Sequence, residues 1–228
     1  MGAADYYCRL SMAVAGRLRG GPAKAAVFAS ALTGSITGSA NANVATTGPF
    51  TIPMMKKTGF KAEIAAGIET AASTGGQVMP PIMGASAFLI VEFTGISYWE
   101  VVKVSILPCA LYFLSVYNIV HLEARKGGLV GLPADQLERT WNVLKEGWYY
   151  LLPPFIIIIA LMYGYGVPFS GLIGILSIII LAALKGMLTL FQKSRSDGIG
   201  ASDIFGSVKR GIGNIIGALE SGAIRSLP

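Results

Sequence analysis

Long apolar runs separated by clusters of lysine and arginine dominate this chain, and their lengths predict a series of helices in a membrane. From Ala4 to Leu18, apolar positions alternate with Arg9 and Arg17, and Gly20, Gly21 and Pro22 follow. Residues 1–22 are therefore expected to form an amphipathic helix at the cytoplasmic surface. Residues 23–56 carry no charge between Lys24 and Lys56. Two full crossings need ~20 residues each, so this interval is too short for both and predicts a re-entrant hairpin. Residues 59–93 are apolar but interrupted by Gly75, Gly76, Pro80 and Pro81. Two prolines remove donors and disfavour helix before each ring, which predicts one crossing broken into two half-helices.

Further on, 98–120 reads as an uninterrupted transmembrane helix with Tyr98 and Trp99 as interfacial anchors. A polar cytoplasmic loop, 121–148, is expected next, and its balanced charges read as solvated. Residues 149–167 and 169–184 predict two more crossings around a turn at Pro168. The last stretch, 185–228, reads as a cytoplasmic polar linker followed by an amphipathic helix. Its apolar positions Ile204, Phe205, Val208, Ile212, Ile215, Ile216 and Leu219 recur at helical spacing.

The charges agree with this topology. If 23–56 turns back on itself, the basic clusters from Arg17 to Lys24, Lys56 to Lys61, Arg125 to Lys145 and Lys185 to Arg210 all fall on one face. That face is assigned to the cytoplasm by the positive-inside rule. Reading Lys24 to Lys56 as a single crossing would place basic clusters on both faces. Composition points the same way: of 228 residues, 53% are hydrophobic and 13% are charged, against about a quarter charged in a soluble domain. The mean hydropathy is +0.61. The expected class is an all-α, multi-pass integral membrane protein, and no basic stripe interleaved with aromatics suggests nucleic acid.

Candidate chemistry concentrates in the stretch from Gly34 to Met55, GSITGSANANVATTGPFTIPMM. Glycine and asparagine allow the backbone to leave the helix, while Ser, Thr, Asn and freed carbonyls offer hard oxygen ligands. In a bilayer such irregular backbone survives where protein or a watery cavity satisfies it. Gly34 and Gly38 form a GxxxG pair, which close helix packing explains as well as ligand binding does. Asn41 and Asn43 could cap broken helices or coordinate an ion. Glu69 lies inside a crossing, where an ionisable group needs a cavity or a partner; it is a candidate for proton coupling, or for a structural contact with Lys103 or a hydroxyl. His121 beside Glu123 reads as a solvated interfacial residue. Cys8 and Cys109, far apart and in no CxxC pair, read as apolar thiols. One histidine, with no GxSxG, HExxH or P-loop, leaves neither an activated nucleophile nor an ATP site, so no enzyme is expected.

Two motifs, TGSANANVATTGPFTIPMMKKTGF and ETAASTGGQVMPPIMGASAFLIVEFTGI, resemble the large permease of tripartite ATP-independent periplasmic (TRAP) transporters. The branch they most resemble is the fused permeases that work with TAXI-type binding proteins. The similarity runs from about Gly2 to Pro228. It implies a secondary active transporter of the elevator type, built from two inverted repeats, each with a helical hairpin and an unwound helix. An extracytoplasmic TAXI-type binding protein would deliver an organic acid such as a carboxylate, driven by sodium or by protons, with no other cofactor. The location implied is the inner membrane of a bacterial or archaeal cell.

By that resemblance Ser39, Asn41, Asn43, Gly75, Gly76 and Met79 are the candidate sodium ligands, the last three through carbonyls. Thr37, Gly38, Ser39 and Pro80 would face the substrate. Oxygen donors suit a hard cation, and no metal other than sodium is expected. The chain resembles one inverted-repeat half, a fragment of the permease core, so the remaining repeat and the small permease part are expected partners, together with membrane lipid. The alternative is a non-transporting membrane assembly subunit, or the remnant of a disrupted permease gene.

Overall fold

The computed structural model describes residues 3–197, and all regular structure among them is helical. Residues 198–228, with the amphipathic pattern expected from Ile204 to Leu219, lie outside the described residues. The chain divides into two units, one ending at Ser170 and one beginning at Gly171.

The first helix, α1 (Ala3–Ala15), buries Tyr6, Tyr7, Ser11 and Ala15. It stops well before the expected boundary at 22, because a turn from Gly16 leads to Gly20 in the left-handed conformation. Its buried face packs on α2 (Gly21–Thr37) and α3 (Ala40–Lys57), so this helix is part of the protein core on one side. Pro22 sits at the start of α2, where its missing N–H costs nothing. Gly38 closes α2 with φ 60° and returns its N–H to Gly34 O at 2.9 Å. Ser39 is extended, and its Oγ accepts from Ala42 N at 3.4 Å to open α3. A left-handed glycine followed by a capping serine therefore turns the chain in two residues. Each arm, 17 and 18 residues, is about 26 Å long at ~1.5 Å per residue.

The helix α4 (Ala62–Thr74) ends in a 3-10 turn, Gly75–Gln77, and the chain stays non-helical past the cis Pro80–Pro81 bond to Gly84. There α5 (Ala85–Thr94) begins and runs to left-handed Gly95. Next, α6 (Tyr98–Lys126) spans 29 residues, capped by Ser97, whose Oγ accepts from Glu100 N at 3.3 Å. It is long and apolar enough to cross a membrane, and Val104, Ile106, Leu107, Leu111 and Leu114 on it are exposed. Hydropathy placed its end at 120; hydrogen bonding carries the helix to Lys126, because polar residues leave the apolar phase without ending a helix. A second stretch, Ala134–Met162, passes the same test. Its apolar run opens at Trp148, followed by α8 (Leu152–Met162). The last helix, α9, spans Val167–Asp197.

Three clusters hold the first unit. One joins Ala26 and Val27 of α2, Met55 of α3, Ala65, Ile68 and Ala72 of α4, and Val116 and Val120 of α6. A second packs Met83 and Ala87 against Tyr98, Val101, Ile157 and Leu161. The third corrects the reading of 121–148 as a solvated loop. Part of it is helix α7 (Thr140–Gly147), and Val143 is fully buried against Tyr6 and Tyr7. Arg9 bridges this segment from α1, donating to Glu138 at 2.6 Å and to Glu146 at 2.8 Å. Two of the segment's four carboxylates, Glu138 and Glu146, are thus paired with α1, which sequence spacing does not reveal.

The hydrogen bond from Arg9 holds the Glu138 carboxyl below the usual carboxylate range. A lowered folded value means the contribution is complete above the ordinary glutamate value, ~4.3, and is lost as pH falls through the folded value. Both side chains are partly exposed, so the pair contributes no more than ~1 kcal/mol. The difference in thermal midpoint between wild type and Glu138→Gln should accordingly be present at neutral pH and disappear in acid. A difference that persisted unchanged in acid would contradict this account.

Candidate functional site

The hairpin and the break meet through backbone. A Cβ added to Gly34 would lie 2.5 Å from Gly76 Cα, so only glycine on both sides permits the contact. At the tip, a Cβ on Gly38 would lie 1.9 Å from Met83 O, and Ile82 N donates to Ser35 O at 3.4 Å. Met83 itself holds φ 56°, and Gly84 N closes the break by donating to Gln77 O at 2.7 Å. The two helix interruptions thus dock on each other.

Asn43 stands at this junction. It is fully buried, and its Nδ2 donates to Ser30 O at 2.8 Å. That nitrogen also lies 3.1 and 3.2 Å from the positions a Cβ on Gly34 or Gly76 would take, so it too would crowd a side chain there. Its Oδ1 is buried without a hydrogen-bond partner, as are the hydroxyls of Thr33 and Thr37. Thr33, Gly34 and Thr37 share one face of α2. Native proteins rarely leave buried acceptors unpaired, and each such group calls for an explanation. A carbonyl oxygen of this kind is a suitable ligand for a hard cation. Among the described residues no group of three His, Cys, Asp or Glu could hold a metal ion.

Beside Asn43 lies a second polar group. Glu69 on α4 is fully buried, and its carboxylate accepts from Ser30 of α2 at 3.2 Å, Thr51 of α3 at 2.6 Å and Ser73 of α4 at 3.1 Å. Thr47 of α3 also donates to it. Of the two structural partners the sequence left open for Glu69, hydroxyls are the ones present. Lys103 instead pairs with Glu100 at 2.6 Å.

The candidate residues are not all gathered at one point. Asn43 and Gly76 come together, whereas Asn41 and Ser39 are exposed. Gly75 turns the other way, since a Cβ there would meet the rings of Phe113 and Tyr112 on α6 at 2.7 Å. The carbonyls of Gly75, Gly76 and Met79 each accept one backbone N–H, from Val78, Met79 and Met83, and each keeps a second lone pair. The Met79 sulfur touches Cys109 Sγ at 3.2 Å, and Met79 and Pro80 line an apolar cavity of about 600 Å³ between α6 and Val27, Phe28 and Ala31 of α2. Gly38 and Thr37 lie at the tip as described. Cys8 and Cys109 are both free thiols. His121 departs from the solvated reading: its Nδ1 is 3.1 Å from the Nζ of Lys24, which is 3% exposed and lies 4.4 Å from the Tyr117 ring centroid.

Ser30, Thr47, Thr51 and Ser73 are not singled out as ligands by sequence reading. One signal was available. Asn43, Thr47 and Thr51 repeat at four-residue intervals, as do Glu69 and Ser73, so each set forms a polar stripe on an otherwise apolar helix.

A family model described as tripartite ATP-independent periplasmic transporter, DctM component, matches residues 1–215. An uncharacterized protein of Sinorhizobium fredii, y4mL, is 28% identical over 170 residues, 74% of this chain and 40% of that protein. The C4-dicarboxylate TRAP transporter large permease protein DctM of Vibrio cholerae is 30% identical over 166 residues, 72% of this chain and 35% of its own length. Its namesake in Pseudomonas aeruginosa is 30% identical over 142 residues, 61% of this chain and 33% of its own length. The chain thus matches between a third and two fifths of the length of these relatives.

Gly34→Ala should push the hairpin off the break, because the atom it meets is backbone and cannot rotate away. A loss of ~1–3 kcal/mol is expected, read as a lower thermal midpoint in detergent. Gly67→Ala on α4 is the control: nothing lies within 4 Å of its Cβ position, and alanine there should be neutral or stabilising by up to ~1 kcal/mol.

Proposed function

Because this chain belongs to the DctM family of TRAP transporter permease components, we propose that it forms the part of a large permease that carries the first hairpin and the first broken helix. The permease takes up organic acids across the cytoplasmic membrane, and C4-dicarboxylates, for which two relatives are named, are the substrate class proposed for it. An extracytoplasmic binding protein of the TAXI type delivers the acid, and a small permease part and a second repeat complete the transport unit. Hairpin 23–56 is re-entrant and moves with the broken helix as an elevator, cation entry being the driving step. Family membership makes the chain a transporter component and not an enzyme.

The observation that carries this reading is the unpartnered Asn43 Oδ1 buried where Gly34 meets Gly76. A sodium ion there would draw on Asn43, on nearby carbonyls of the break and on the hydroxyls of Thr33 or Thr37. Binding would then hold the hairpin against the break, which is what an ion must do to preorganise a neighbouring carboxylate site. Ser39 and Asn41, being exposed, serve the substrate side and the helix cap in this reading.

Uptake of a C4-dicarboxylate by proteoliposomes holding the native-length permease, its partners and the binding protein tests the assignment. Asn43→Ala should raise the half-saturating sodium concentration ~10-fold or more, since a lost contact to a charged group is worth ~1.5–3 kcal/mol. Ser39→Ala should change it far less, its chief loss being a helix cap of ~1 kcal/mol. Unaltered sodium dependence in Asn43→Ala would remove Asn43 from the site. If neither sodium nor carboxylate raised the thermal midpoint of the wild type, the assembly-subunit reading would replace transport.

A further inference from the structure

The Glu69 carboxyl can hold or release a proton without any heavy atom moving, and this follows from counting hydrogens. When it is ionised, the four hydroxyls of Ser30, Thr47, Thr51 and Ser73 all donate to it, three to Oε1 and one to Oε2. When it is neutral, a proton on Oε2 donates to Thr51 Oγ1, and that hydroxyl turns to Thr47 O, 3.0 Å away. Thr47 has the same freedom, with Asn43 O 2.9 Å from its Oγ1. Each hydroxyl has one hydrogen and two lone pairs, so both states are fully satisfied.

Among the described residues no Lys, Arg or His forms an ion pair with Glu69. On α2, Lys24 is engaged with His121. Lys56 and Lys57 of α3 and Glu63 of α4 are exposed. From α6, Tyr112 commits its hydroxyl to Ala71 O at 2.8 Å. On α1, Cys8 is a free, half-buried thiol. An unpaired carboxylate at such a place favours either a proton or a cation close by.

The cation candidate is two hydrogen bonds away. Ser30 joins the sites directly, donating from Oγ to Glu69 and accepting at its carbonyl from Asn43 Nδ2. Thr47 joins them again between Glu69 and Asn43 O. We propose that Glu69 is a proton-binding site in competition with the cation at Asn43: the carboxyl gives up its proton to water as the cation enters, and regains it as the cation leaves. The exchange leaves the net charge of the buried region unchanged. It rests on the cation site proposed above.

Thermal midpoints of the native-length permease with its partners, titrated with sodium chloride against choline chloride at several pH values, test the competition. In wild type the half-saturating sodium concentration should rise as pH falls, by up to ~10-fold per pH unit for one proton exchanged. Glu69→Gln, an isostere of the neutral acid, should bind sodium weakly at every pH with no such trend. A wild-type value independent of pH, or the same trend retained in Glu69→Gln, would overturn the proposal. Infrared difference spectra supply a separate readout: a carboxylic-acid carbonyl band should appear on acidification and be missing from Glu69→Gln. If Glu69→Gln does not fold, Thr51→Val must shift that band, because it removes the acceptor of the Oε2 proton. Sodium without effect on wild type at any pH would defeat both the cation site and the competition. In that case the infrared band alone decides whether Glu69 binds a proton.

Discussion

A backbone contact, Gly34 against Gly76, governs the arrangement of everything around it. Two helices approach closely only where neither carries a side chain, and hydrogen bonding must then be arranged around the contact. Here α2 stays helical through Gly34 while α4 has already given way to a 3-10 turn at Gly75–Gln77. The hairpin therefore presents a smooth face to a chain that is turning. Asn43 closes over the pair from α3, which fixes the crossing of the two hairpin arms as well as their distance from the break.

The same contact explains why polar residues can crowd into an apolar protein at this depth. In a bilayer an unsatisfied polar group costs several kcal/mol, so polar side chains must find partners within the protein. Ser30, Thr47, Thr51 and Ser73 find theirs in Glu69, and the four come from three helices held in place by the glycine junction and by the cluster around Met55 and Ala72. Among the described residues, Asn43 Oδ1 and the Thr33 and Thr37 hydroxyls are buried without one, as are Tyr6 OH and Ser11 Oγ on α1. The unmet capacity at Asn43, next to a fully met network, is what the proposed cation site rests on.

Local punctuation was legible in the sequence, and mutual orientation was not. Gly38 and Ser39 mark the hairpin tip by their own conformational preferences, and Gly75, Gly76, Pro80 and Pro81 mark the break. Placing residues on a face required knowing where each helix starts. Asn41 and Asn43 look equivalent in sequence, but two residues on a helix point about 200° apart, so one is buried and the other exposed. Gly75 and Gly76 are likewise neighbours that face different helices. The pairs Lys24 with His121 and Arg9 with Glu138 join residues about a hundred positions apart, and no local pattern announces them.

Hydroxyl residues on these helices divide by how they use their single hydrogen. Half-buried Thr46 and exposed Thr70, Thr74, Thr94 and Ser115 return it to the carbonyl four residues earlier, which satisfies the group within its own helix. Such residues tie nothing together. Ser30 and Ser73 give theirs to Glu69, Ser30 doing so across helices. Thr47 and Thr51 have both kinds of acceptor within reach, a carbonyl four residues back and the Glu69 carboxylate. Under the proposed exchange, which of the two each one takes follows the proton on Glu69. In the exchange proposed for Glu69, the α3 arm of the hairpin is thereby joined to α4 through hydroxyls that can turn between a carboxylate and their own helix, so the two helices share a contact that a single proton rearranges.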